Sequence, residues 1–149
     1  MAQQIQSAQP STRSQIIQQA AAAKSILETP ASAKQAAEAG KRLLGSFPHA
    51  KPADPEGYAL SIAMVLQQYP LGVVQSCCDP RTGLAREREF PPTVASIVGW
   101  CELRVKRHQG AVIHARNIEA EKEFTEHHRK TMLGRLAELW KGLLKPVLP

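Results

Sequence analysis

Three cysteines, Cys77, Cys78 and Cys101, and the nearby His108 are the residues of this chain whose types could in principle assemble a tetrahedral zinc site. Their spacing matches no CxxC knuckle, and the adjacent Cys77 and Cys78 cannot bridge each other without severe strain. The reading that fits better is packing: Cys77 and Cys101 as small core residues, Cys78 partly exposed, and His108 continuing an apolar stripe as a core or half-buried histidine. His127 and His128 are a second conceivable metal pair, but neighbours on a helix point about 100° apart and are normally solvated. Neither set predicts a metal.

Other chemistries leave no trace. There is no glycine-rich phosphate loop followed by Lys and Ser or Thr, no GxGxxG opening a helix, and no nucleophile-elbow serine. The sequence therefore predicts neither a catalytic site nor a cofactor. What remains is binding. Arg104, Lys106, Arg107 and Arg116 follow Thr93 on a helical stretch and could meet phosphates, with Arg129, Lys130, Arg135, Lys141 and Lys145 further on. Glu119, Glu121, Glu123 and Glu126 interrupt these cations, so a solvated face laced with i,i+4 pairs is the competing reading. Leu136, Trp140, Leu143 and Leu144 form an apolar stripe at the chain end that either anchors in a partner groove or packs back on its own domain.

The elements that must position these residues are helices. Of 149 residues only 5% are aromatic, and Ala, Gln, Glu, Lys, Arg and Leu dominate, which predicts an all-α chain. A polar, Gln- and Ser-containing arm is expected over residues 1–13 and should be disordered. Two Ala-rich helices follow over 14–46, the first capped by Ser14 and the second opened near Ser32. Their thin apolar faces leave open whether they dock. A Pro-containing linker spans 47–53.

A helical core module is expected over 54–109. Asp54 caps a helix with Pro55 at its first position and Tyr58, Ile62, Val65, Leu66 and Tyr69 on one face, stopped by Pro70. A short helix through Val73, Val74 and Cys77 ends at the turn Asp79-Pro80-Arg81-Thr82-Gly83, and a polar loop, Arg86 to Glu89, leads to Phe90-Pro91-Pro92-Thr93. Thr93 opens a helix that carries Ile97, Val98, Cys101, Val105, His108 and Val112. This helix either breaks at Gly110 or runs on through Ile118 and Phe124, and an amphipathic helix from Met132 to Pro146 closes a C-terminal extension over 110–149. The expected architecture is a small helical bundle with a long or broken C-terminal helix. The 98–112 stripe serves an intramolecular core or a dimer seam equally well.

The formal charge of +6 makes an anionic partner plausible. No stretch approaches the ~18–20 apolar residues of a membrane span, and the N-terminus lacks a signal-peptide pattern, so no membrane contact is predicted. Odd, unpaired cysteines fit a reducing cytoplasm.

The order LLGSFP, spacer, VLQQYP, DPRTGL and FPPTVASI, from Leu43 to Glu102, resembles the N-terminal helical domain of phage-encoded loaders and inhibitors of the replicative hexameric helicase. In that family a phrase of Phe, a variable residue, Pro and Ser or Thr opens the last helix. Phe90, Pro92, Thr93, Val94, Ala95 and Ile97 match it, whereas Ser96 stands where the family has glutamate and so lacks the reciprocal half of a capping box. The resemblance implies a prophage-type DNA replication accessory protein: a compact scaffold joined to a C-terminal part that binds the helicase, as loader or inhibitor, without nucleotide hydrolysis. Two other classes stay open: a direct DNA-binding regulator using Arg104, Lys106, Arg107 and Arg116, and a structural or adaptor protein of a mobile element.

Overall fold

The computed structural model describes residues 12–49 and 51–144. Among them the fold is all-α, with six helices: α1 Thr12–Glu28, α2 Ala33–Gly45, α3 Pro55–Leu66, α4 Leu71–Cys77, α5 Leu84–Glu87 and α6 Val94–Leu143. The chain divides into two compact units, Met1–Val112 and Ile113–Pro149.

In the first unit the cap chemistry written in the sequence sets the helix starts. Ser32 accepts from the Gln35 amide at 3.2 Å while the Gln35 side chain accepts from the Ser32 amide at 3.0 Å, a complete capping box. Asp54 accepts from the Gly57 amide at 3.0 Å, with Pro55 at the first helical position where its missing N–H costs nothing. Several boundaries differ from expectation. α1 starts at Thr12, so Ser14 lies inside its first turn and is not its cap; after Pro10 nothing in the sequence blocks a helix. The disordered arm expected over 1–13 otherwise lies outside the described residues. α3 ends at Leu66, short of Tyr69, because a turn through Gln67 and Gln68 intervenes before Pro70.

The core is built from Leu43, Phe47, Ile62, Leu66, Val73, Val74, Leu84 and Ile97 with the three cysteines and small alanines. The Ala-rich helices do dock. α2 buries Ala36, Ala39, Gly40 and Leu43 and packs mainly on α3. Closeness replaces bulk here: a Cβ at Gly40 would sit 3.3 Å from Ile62 Cγ2, so the missing side chain lets the helices approach. α1 packs on α4 in the same manner, with the Gly72 Cα beneath Ile26.

The loop expected from Arg86 to Glu89 is partly helical: Leu84–Glu87 forms one turn, α5. Burial of Leu84 to 1% exposure anchors that turn and offsets the poor helix-forming context. Cys78, expected partly exposed, is fully buried, because Val74, Cys77 and Cys78 stand at i, i+3 and i+4 and share one inward face.

The helix opened at Val94 does not break at Gly110. It continues as α6 to Leu143, so the segment expected as a separate helix from Met132 is its last part. A single interior glycine costs only about 1 kcal/mol, too little to interrupt a run of good helix formers. The expected end at Pro146 lies outside the described residues.

Candidate interaction surface

In the second unit, α6 carries no buried large side chain. Leu136 is 48% exposed, Trp140 63%, Leu143 79% and Leu144 73%. Met132, Leu133 and Leu139 belong to the same surface and are likewise exposed. Leu139 stands three residues after Leu136 and four before Leu143, a spacing that could have placed it in the stripe from sequence alone.

Polar groups border this apolar surface. Lys141 pairs with Glu138 at 3.1 Å, and Arg135, Glu138, Leu139, Thr131 and Gly134 line a shallow groove along the helix. Earlier on the helix Lys122 pairs with Glu126 at 3.8 Å, an i,i+4 bridge of the kind the interleaved charges suggested. Such exposed pairs contribute at most ~0.5 kcal/mol each, so they solubilise the helix more than they stabilise it.

Of the four cations nominated for phosphate, three lie in the first unit, where Arg104 and Arg107 stand at i and i+3 on one side of the helix. Arg104 is half-buried, its guanidinium 4.6 Å from the Trp100 ring centroid in a cation–π contact. Lys106 and Arg107 are exposed, but at about 100° per residue Lys106 points roughly 200° away from Arg104. Arg116 is exposed and belongs to the second unit.

The phrase from Phe90 to Ile97 opens α6. Thr93 Oγ1 accepts from the Ser96 amide at 3.2 Å, and the two hydroxyls lie 3.0 Å apart, so Ser96 meets the cap through its side chain where glutamate would reach the backbone. Pro92 is buried, and its carbonyl accepts a hydrogen bond from the Tyr58 hydroxyl. Burial raises the Tyr58 pKa, keeping the donor protonated. Phe90, by contrast, is 69% exposed.

The cysteines are a packing cluster. All three are buried and unbridged. Thiol hydrogen bonds from Cys101 and Cys78, with burial, push the Cys77 thiol far up, so it is not a nucleophile at neutral pH. His108 is half-buried. His128 stacks on Phe124 with centroids 6.4 Å apart. Among the described residues no three His, Cys, Asp or Glu side chains are grouped to hold a metal ion, and no helix is long and apolar enough to cross a membrane.

No protein-family model, curated protein or solved structure matches the chain.

Proposed function

We propose that this chain is a prophage-type replication accessory protein that binds the replicative hexameric helicase, as loader or inhibitor, through the last part of α6, without hydrolysing nucleotide. The observation that carries the reading is the exposed stripe of Leu136, Trp140, Leu143 and Leu144 at the end of a continuous helix. Apolar side chains of this size lose ~1.5–3 kcal/mol each by remaining in water, a cost that a partner groove removes. Trp140 is the natural anchor, since tryptophan is enriched among residues that dominate binding energy.

The helicase as partner is what the resemblance of the Leu43 to Glu102 phrases suggests. The cap at Thr93 and the burial of Pro92 support a structural role for the FPPT phrase at the start of α6. The alternative of direct DNA binding has less support, because Arg104 is engaged by Trp100 and Lys106 faces away from it.

The experiment is capture of purified helicase by the full-length protein, beside a truncation lacking residues 132–149. Recovery by the full chain and loss on truncation support the reading. No recovery by either sinks it, and a DNA mobility shift that weakens steeply with salt in the same preparation would favour the regulator instead.

A further inference from the structure

We draw no further inference here: the strongest candidate, the cluster of Cys77, Cys78 and Cys101 in the core of the first unit, is buried at all three thiols and is set apart from ordinary core packing only by the pKa shifts of Cys77 and Cys78, which by themselves point to no ligand and no reaction.

Discussion

The Leu71 amide donates to the Thr29 carbonyl at 2.8 Å, and this bond joins two connectors far apart in sequence. A second bond, from the Ala31 amide to the Tyr69 carbonyl at 3.4 Å, makes the junction reciprocal. The turn after α1 and the turn after α3 are thereby stitched together, between helices of which α1 packs on α4 and α2 on α3. Substituting Leu71 by Pro should remove the shorter bond and the partly buried leucine together. We expect a loss of about 2–3 kcal/mol, read by urea denaturation.

Gly83 permits a close approach of backbone to backbone. A Cβ there would lie 2.2 Å from the Cys77 carbonyl oxygen and 2.6 Å from that of Ser76, neither of which can yield as a flexible side chain can. Gly83→Ala should therefore destabilise the first unit by roughly 2 kcal/mol or more, visible as a lowered thermal midpoint. Gly110→Ala, where a Cβ meets nothing, should raise helix stability by up to about 1 kcal/mol.

Much of this was legible in the residues. Ser32 with Gln35, Asp54 with Pro55, and Thr93 after two prolines announce helix starts through local side-chain chemistry, and all three caps form. The Asp79 to Gly83 turn is similarly local: the Asp79 carboxylate accepts from the Arg81 amide at 2.8 Å, which together with the Arg81 charge holds its pKa low. What escaped reading depends on distant contacts. The turn at α5 and the docking of two alanine-rich helices arise from tertiary packing that no window of sequence contains, whereas the burial of Cys78 was readable from its i,i+4 spacing to Val74. The site was partly legible: three-four spacing identified the stripe, but the degree of exposure of each side chain is nothing that spacing reports. That Arg104 is taken up by Trp100 was available as an i,i+4 pair, yet many such pairs never form.

Removal of the Ser32 hydroxyl isolates one cap. Ser32→Ala should cost about 1 kcal/mol through loss of the bond that the Ser32 hydroxyl accepts from the Gln35 amide, while the backbone amide at position 32 keeps its bond to the Gln35 side chain; chemical denaturation measures it.

Trp140→Ala separates binding from folding. Because Trp140 is 63% exposed, its loss should change the melting temperature of the protein by no more than a degree or so, within the ~0.5 kcal/mol of ordinary surface substitutions. A large drop in that temperature would show that the stripe stabilises the chain itself.

Alkaline pH should loosen the first unit. Cys77 is raised by its thiol hydrogen bonds and burial, and Tyr58 and Tyr69 are raised first of all by burial. Each folded-state pKa lies above its unfolded value, so the native state holds these protons more tightly. The associated stability is complete below the unfolded values, about 8.5 for the thiol and about 10 for the phenols, and declines as pH rises through the folded ones. Cys78 shifts the opposite way, chiefly through its bond with Cys77, and opposes part of that loss. A denaturation series from pH 7 to pH 11 should show stability falling above about pH 9; a flat profile would contradict the assignment.

The bridge that pairs Pro30 with Pro70 has one further property. Each proline lacks the amide that a growing ladder would need, so the extended pairing between the two connectors cannot lengthen into a sheet. The chain thus keeps a fragment of β geometry as a clasp and denies it an open edge. At these two connectors the strand-by-strand route by which apolar chains polymerise is therefore closed.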